Sequence, residues 1–361
     1  MMSVNTKALH SDIPYHGIYR GYIYSDSELI YPKVADIKLL QETQLENFFK
    51  VTEDSKNNLR FEYDLSATDN EENELEDESD NEKLITQAKK SFRQTGMKIF
   101  KQSKRKQSPE VVIVTGLDLY KNKPDFITKL IHNRVDYSTS HKGYGVYIRY
   151  LQEFLPNLQE FNNDLKWGKL FIIREAMMAF PNAKYFWYLD ESSIILQKNI
   201  DLRKHVLKAE SLEPIILRDQ PISLNNGVIK TYKRNKAEDV EFIISQDSEK
   251  LNSDSFIVRN TPTSKGLIEF WMNSLFRRYI NFNNDDTKAL THILQWHPIL
   301  LSKTAIVPNR SILSLHYDKH DYQHGDFVVN IKGCEERGNC YKLLKDYWKI
   351  FQGEKENISF N

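Results

Sequence analysis

Two acids, Asp190 and Glu191, stand side by side between apolar runs, Tyr185-Phe186-Trp187-Tyr188-Leu189 before them and Ile194-Ile195-Leu196 after Ser192-Ser193. Desolvating a carboxylate is costly, so acids held between two buried segments need a partner. The carboxyl end of a buried strand is where open α/β sheets bind ligands, and a divalent cation carrying a diphosphate is one partner that would satisfy Asp190 there. The plainer alternative is that Asp190 caps the next element or meets a core arginine, and from this stretch the two readings stand level. Trp187 and Tyr188 read as core residues under either. Two cysteines, Cys334 and Cys340, flank Glu335-Glu336-Arg337-Gly338-Asn339. Such a close pair can close a surface loop as a disulfide, which implies an oxidising compartment; reduced thiols are the alternative, and no further zinc ligands lie nearby. Asn309-Arg310-Ser311 and Asn357-Ile358-Ser359 are N-glycosylation triplets, a pattern that also arises by chance.

The elements that must position these groups begin at Glu110. Val111-Val112-Ile113-Val114-Thr115-Gly116 is a continuous apolar run ending in glycine, the pattern of a buried parallel strand entering a ligand-binding turn. Pro124 suits a first helical position and opens a helix over Asp125–Ile131. A second strand covers Tyr144–Tyr150. Lys166–Phe180 has helical periodicity, with Leu170, Ile173, Ala176 and Met177 inward and Lys169 and Arg174 projecting elsewhere. That helix leads into Tyr185–Leu189. Beyond it, Ile215–Arg218, Val228–Tyr232 and Ser255–Arg259 read as shorter strands, and Lys265–Phe276 and Thr287–Leu294 as helices. Ala305–Val307 and Asp326–Ile331 are late strands, and Tyr341–Phe351 is a closing helix. Alternation of strands with helices of this length predicts an α/β fold with a mostly parallel sheet.

Residues 1–63 are mixed and read as a stem-like region, with a strand or hairpin over His16–Tyr24 and a helix over Leu39–Val51. Residues 64–108 form a linker: an acidic, low-complexity stretch, Asp64–Lys83, then a basic one, Lys89–Lys106, expected to be disordered. The folded domain spans 109–361. The chain's 361 residues suffice for a full core, and its 50 basic and 50 acidic residues cancel, so no global field points to nucleic acid. No run of roughly 18 apolar residues marks a transmembrane helix, and no signal peptide opens the sequence. If the protein works in a secretory lumen, its anchor is not visible in this chain.

Taken in order, the segments after Glu110 resemble glycosyltransferase family 34, which holds fungal Golgi α-1,6-mannosyltransferases, fission-yeast α-galactosyltransferases and plant xyloglucan xylosyltransferases. Val111–Gly116 resembles the family's first nucleotide-binding strand, and Asp136-Tyr137 with His141-Lys142-Gly143-Tyr144 its Tyr and His-Gly-Tyr element. Trp167-Gly168-Lys169 resembles the Trp-Ala-Lys helix, and Trp187–Ser192 the aromatic segment ending in Asp-x-Asp. Leu251–Asn260 is similar to the Leu-Asn-x-Gly-Ser-Phe-x-x-Arg-Asn strand, with Gln246-Asp247 just ahead, and Asp285–Leu290 to the Asp-Asp-Gln-x-Ala-Leu element. Gly325–Cys334 closes the set, where the family has Gly-Asp-Phe-Val-x-His-Phe-x-Gly-Cys. The wording of Asn133–Tyr137, Gln152–Pro156 and His292–Pro298 is most similar to the mannan polymerase subunits.

The resemblance implies a GT-A-type, retaining hexosyltransferase of the Golgi lumen or membrane. It would move mannose from GDP-mannose to a mannan or N-glycan chain in α-1,6 linkage, working in a hetero-oligomer with other mannosyltransferase subunits. It also implies roles: Asp285 and Asp286 catalytic; Gly116, Lys169, Arg174, Gln246 and Asp247 at the donor; Asp190, Glu191, Ser192 and Asn330 around Mn²⁺ or Mg²⁺. Four positions depart from the pattern. Ser192 replaces the second acid of Asp-x-Asp, Asn330 the late histidine, Asp254 the Gly before Ser-Phe, and Thr287 the Gln after the paired acids. The first two fall on one metal and lower its formal ligand charge, which makes a catalytically weak subunit of a mannosyltransferase complex the alternative expectation.

Overall fold

The computed structural model describes residues 108–118, 121–122, 124–154, 165–223, 227–247, 250–317, 322–334 and 336–353, with four short strands ahead of them. Those are β1 (Tyr22–Tyr24), β2 (Leu29–Pro32), β3 (Phe49–Glu53) and β4 (Leu59–Tyr63). Of the linker expected over 64–108, residues 64–107 lie outside the described residues, as does the second glycosylation triplet. Strand β5 (Val111–Leu117), helix α1 (Pro124–Ser140) and β6 (Tyr144–Tyr150) begin the main unit. Helix α2 (Gly168–Ala179), β7 (Tyr185–Leu189) and β8 (Ser193–Ile195) follow, then a π-turn over Arg203–Leu207 and the one-turn α3 (Ala209–Leu212). Next come β9 (Phe242–Gln246), β10 (Leu251–Arg259), α4 (Pro262–Trp271), α5 (Ser274–Arg278), α6 (Asp286–Trp296) and α7 (Pro298–Ser302). The chain closes with β11 (Thr304–Pro308), β12 (Ser314–Leu315), β13 (Val328–Asn330) and α8 (Cys340–Phe351).

The α/β fold with a mostly parallel sheet stands as the sequence predicts. The eight-stranded sheet has the order β1-β2-β6-β5-β7-β10-β9-β11, and all strands except β1 and β10 run the same way. Strand β5 pairs in parallel on both sides, so a polar residue there would face core on either face, and the continuous apolar run answers that constraint. Alternate residues serve opposite layers: Val112, Val114, Phe186 and Tyr188 pack toward α2, α4 and α6, while Val111, Ile113, Trp187 and Leu189 face the other layer. On that second side α1 lays Ile127, Leu130 and Ile131 against Val146 and Ile148, together with Leu343, Leu344 and Tyr347 of α8.

Strand β10 shapes the carboxyl end of the sheet. It runs antiparallel between β7 and β9, with Ser255 opposite Leu189, so its first residues arrive at the carboxyl end of β7. A bulge between Asn252 and Phe256 frees Ser253–Ser255 from pairing with β9 and turns them toward that end. A smaller three-stranded sheet, β12-β13-β8, pairs Asn330 opposite Ser193.

Several expected elements differ. Residues Phe49–Val51 belong to strand β3, paired with β4, rather than to the end of a helix. Of the hairpin expected over His16–Tyr24, Tyr22–Tyr24 forms β1, paired with β2, and the residues before it are outside the described set. The helix expected over Lys265–Phe276 stops at Trp271, because the Asn273 side chain accepts the Leu275 N–H and caps a new helix, α5. No strand forms over Ile215–Arg218, where Pro214 sets a tight 3₁₀ turn. Val228–Tyr232 contributes one isolated bridge, Lys230 to Pro221.

Cys334 and Cys340 form the expected disulfide, which ties the loop after β13 to the first residue of α8. Among the described residues no helix is long and apolar enough to cross a membrane. Helix α8 is further tied down through Tyr347, whose hydroxyl lies 2.6 Å from His316 Nδ1. Burial, then the Arg337 charge, lowers the His316 pKa below its ordinary 6.5. In the window between the lowered folded value and 6.5 the unfolded chain binds the proton and the folded one does not, so stability falls as pH drops below 6.5. Urea midpoints measured at pH 7.5 and 5.5 should therefore fall less in His316→Gln than in the wild type; equal falls would remove His316 from the pH dependence.

Candidate active site

The turn after β7 is held from beneath. Asn133 and Arg134 lie on the apolar stripe of α1 and are fully buried. Arg134 Nη2 donates to the carbonyls of Asp190 (2.9 Å) and Ser193 (2.6 Å), and Nη1 to Asn133 Oδ1 (2.8 Å). Asn133 in turn binds both the carbonyl (2.8 Å) and the N–H (3.0 Å) of Ile195, as a neighbouring strand would. Burial lowers the Arg134 pKa to about 9, with Asp190, Tyr188 and Glu191 opposing, so the guanidinium remains charged at neutral pH. The core arginine expected as one partner of Asp190 thus exists, but it takes the main-chain carbonyl rather than the carboxylate. The sequence alone does not single out either residue; the available signal is a polar pair inside the stripe Ile127, Leu130, Ile131, Tyr137.

Above this brace, Asp190 Oδ1 accepts the N–H (2.9 Å) and the hydroxyl (2.5 Å) of Ser192, closing a local turn. Burial acts against its ionised form, but Lys169, Lys121 and Lys332 outweigh burial and hold its pKa below the usual range. Glu191 points elsewhere. Its Oε2 accepts the Asp118 N–H and the Asn122 amide, both at 2.7 Å, and Lys121 Nζ lies 3.5 Å from Oε1, at the end of β5. Burial pushes the Glu191 carboxyl up to about 8, Lys121 pulling it down and Asp190 adding to the rise.

A second set of side chains converges on the start of β10. Lys169, at the beginning of α2, places Nζ 3.0 Å from Asp286 Oδ2, 3.1 Å from Ser253 Oγ and 3.9 Å from Asp254 Oδ1. Ser253 Oγ also donates to Asp286 Oδ2 (2.8 Å) and lies 2.7 Å from Thr287 Oγ1. Asp254, whose carbonyl accepts the Asp190 N–H at 2.8 Å, binds Lys332 Nζ through both carboxylate oxygens (3.0 and 2.8 Å). Asn330 Nδ2 lies 3.1 Å from Ser193 Oγ and 3.5 Å from Asp254 Oδ2, and its Oδ1 accepts the Lys332 N–H at 2.6 Å. Desolvation disfavours both ammonium groups, yet nearby carboxylates raise the pKa of each: Asp286 then Asp254 for Lys169, Asp254 then Asp190 for Lys332. The result is a row of carboxylates at 190, 254 and 286 interleaved with two lysines, at the carboxyl end of β7.

Of the site residues expected from sequence, Lys169, Asp190, Ser192, Asp286 and Asn330 meet here. Asp285 is instead the N-cap of α6, its carboxylate accepting the N–H groups of Thr287 (2.9 Å) and Lys288 (3.1 Å). Arg174 turns to α4, where Nη1 lies 3.6 Å from Glu269 and its plane covers Phe171. Gln246 donates to the carbonyls of Pro221 (3.1 Å) and Ile222 (3.0 Å), and Asp247 accepts the Lys250 N–H (2.8 Å) in a turn. Gly116 serves close packing: a Cβ there would lie 2.6 Å from Leu151 Cδ2 and 2.7 Å from Ile172 Cδ1. Asp326 braces Arg310 and Ser314 as well as its own turn, and Arg259 reaches the Glu238 carbonyl. In the first glycosylation triplet the acceptor Asn309 is buried, its Oδ1 accepting the Ser245 hydroxyl at 3.0 Å, while Arg310 is exposed and Ser311 half-buried.

A divalent metal of the expected kind needs several oxygen or imidazole donors turned to one point. Asp190 Oδ1 is taken by Ser192, Glu191 faces the end of β5, Asn330 Oδ1 is taken by main chain, and Lys332 occupies Asp254. Among the described residues no three His, Cys, Asp or Glu side chains gather to hold a metal. The donor set does not fit that ion.

Residues 107–341 match the galactosyl transferase GMA12/MNN10 family. The chain belongs to this family. It is 32% identical over 352 residues to the probable alpha-1,6-mannosyltransferase MNN11 of Saccharomyces cerevisiae, covering 91% of this chain and 81% of that protein. It is 29% identical over 257 residues to the uncharacterized alpha-1,2-galactosyltransferase C1289.13c of Schizosaccharomyces pombe, covering 68% of this chain and 67% of that protein. To the probable alpha-1,6-mannosyltransferase MNN10 of S. cerevisiae it is 25% identical over 272 residues, covering 68% of this chain and 67% of that protein. Its site is therefore that of a glycosyltransferase family, built on the α/β frame described above.

Lys169 and Asp286 form a buried pair, and removing one partner strands the other's charge. Lys169→Met and Asp286→Leu should each cost about 3 kcal/mol in urea unfolding, and the double variant much less than their sum. Additive losses would show that the two side chains act independently.

Proposed function

We propose that this family member is a hexosyltransferase that moves mannose from GDP-mannose to a mannan or N-glycan chain in α-1,6 linkage, with retention. The similarity to a probable alpha-1,6-mannosyltransferase over nearly the whole chain supports the donor and linkage. The observation that carries the reading is the convergence of Lys169, Ser253, Asp254, Asp286 and Lys332 beside Asp190, where α/β sheets receive ligands. Developing negative charge on a departing diphosphate calls for fixed cations, and two lysines are held here. Asp286, 3.0 Å from Lys169 Nζ, is placed to orient the sugar or the acceptor hydroxyl, while Asp285 starts the helix that presents it. The donor set does not fit a metal, so the cations at hand for a departing diphosphate are the two ammonium groups.

Work in the Golgi lumen, beside other mannosyltransferase subunits, is part of the same proposal. The Cys334–Cys340 disulfide supports an oxidising compartment. A second reading, a catalytically weak subunit of such a complex, is favoured by Ser192 and Asn330, both of which spend their oxygens within the chain.

Incubation of the purified chain with GDP-mannose and an α-1,6-mannobiose acceptor separates the two. The first reading expects an α-1,6-linked trisaccharide and a fall of roughly 10²-fold in kcat for Asp286→Asn with its melting transition retained. Nucleotide binding without transfer or donor hydrolysis would favour the second.

A further inference from the structure

We propose that Lys332 is the resident cation of this site: its ammonium meets the donor diphosphate and makes nucleotide binding independent of a divalent metal. The inference rests on the nucleotide-sugar reading above and concerns how that donor is held.

Four sequence departures become one arrangement in the structure. Two neutral side chains, Ser192 and Asn330, stand where metal ligands were expected. An added carboxylate, Asp254, stands where a glycine was expected, and it has a direct use: both of its oxygens hold Lys332 Nζ, at 3.0 and 2.8 Å. The fourth, Thr287, meets Ser253 Oγ at 2.7 Å, beside the Lys169–Asp286 pair. The backbone of Asp254 is fixed by main chain, its carbonyl accepting the Asp190 N–H at 2.8 Å. Its side chain is sealed in the fold at 7% exposure, whereas the Lys332 side chain is 65% exposed. Lys332 therefore descends from the solvent side onto a buried anchor. An ammonium has three N–H donors, and a carboxylate gripping it from below leaves its outer face for an anion.

Charge balance sets the size of the effect. Counted formally, three carboxylates, Asp190, Asp254 and Asp286, meet two ammonium groups, Lys169 and Lys332, while Lys121 beside Asp190 is paired with Glu191. Without Lys332 one positive charge fewer would stand against these carboxylates, and a diphosphate would be repelled more strongly at close range. A divalent ion is the usual remedy for that repulsion. Here the fixed ammonium provides it, at the point where the Asn330 and Asp254 side chains meet. Asn330 assists by accepting the Lys332 N–H at 2.6 Å, which fixes the backbone from which the side chain springs.

Isothermal titration of GDP and of UDP into the purified chain, in EDTA and in Mn²⁺, tests the proposal. One nucleotide should bind in EDTA with an affinity that Mn²⁺ changes little. Lys332→Met should weaken it by at least ~10-fold under both conditions, and Lys332→Arg should retain it. Because Lys332→Met strands the Asp254 carboxylate, Lys332→Met combined with Asp254→Asn is measured beside it; it restores the charge balance without the ammonium and should still bind more weakly than the wild type, with an intact melting transition. Binding that requires Mn²⁺, or that survives both variants, overturns the inference and leaves the donor reading standing. No binding of either nucleotide under any condition, by a folded chain, overturns the donor reading and this inference together.

Discussion

A guanidinium in the core governs the arrangement of the site. Arg134 sits beneath the turn that follows β7 and gathers the carbonyl of Asp190, which also accepts the Ser193 N–H, and the carbonyl of Ser193. A buried charge tolerates such a position only when its donors are matched, and main-chain carbonyls with Asn133 match them. Downstream geometry depends on this anchor. Asn133 holds β8, β8 pairs with β13, and β13 carries Asn330 and brings Lys332 over Asp254. A polar pair on one helix thereby positions side chains that arrive from nearly two hundred residues later in the chain.

The single reversed strand in the middle of the sheet is the complementary constraint. In an all-parallel sheet, the first residues of a strand lie at the far edge from the ligand-binding end. Running β10 backwards between β7 and β9 places Ser253 and Asp254 beside Asp190, and the bulge releases them from β9 so that their side chains can meet Lys169 and Lys332. Helices α2 and α6 then need only direct their first turns inward to deliver Lys169 and Asp286. Gly116 permits the close approach of α2, since a methyl group there would collide with Leu151 and Ile172.

Much of the frame was legible in the sequence, because continuous apolar runs such as Val111–Val114 and Tyr185–Leu189 have few alternatives to a doubly covered strand. The order of motifs likewise located Lys169, Asp190, Asp286 and Asn330 near one another. Motif order does not reveal which side chains local backbone has already claimed. Asp285 and Asp286 look equivalent in sequence, yet one caps a helix and the other is buried against a lysine. Gln246 and Arg174 are spent on loop carbonyls and on Glu269. The start of β10 escapes a pattern reading because Leu251–Asp254 is mostly polar, which a bulge beside a site tolerates and a regular buried strand does not. Lys332 carries no local signal because its partner is 78 residues away. The departures at Ser192, Asp254 and Asn330 were visible; the cation that gives them a common sense was not.

The buried Asn309 has a consequence for how the chain must be made. Asn309-Arg310-Ser311 is an acceptor triplet while the chain is extended, yet in the fold its amide is hydrogen-bonded to Ser245 at the seam between β9 and β11. With Asn309 only 7% exposed, an oligosaccharide on its amide would have to displace the packing around it. In any compartment that decorates such triplets, maturation becomes a race between enzyme and nascent domain. Closing this seam early would keep the Asn309 side chain out of reach.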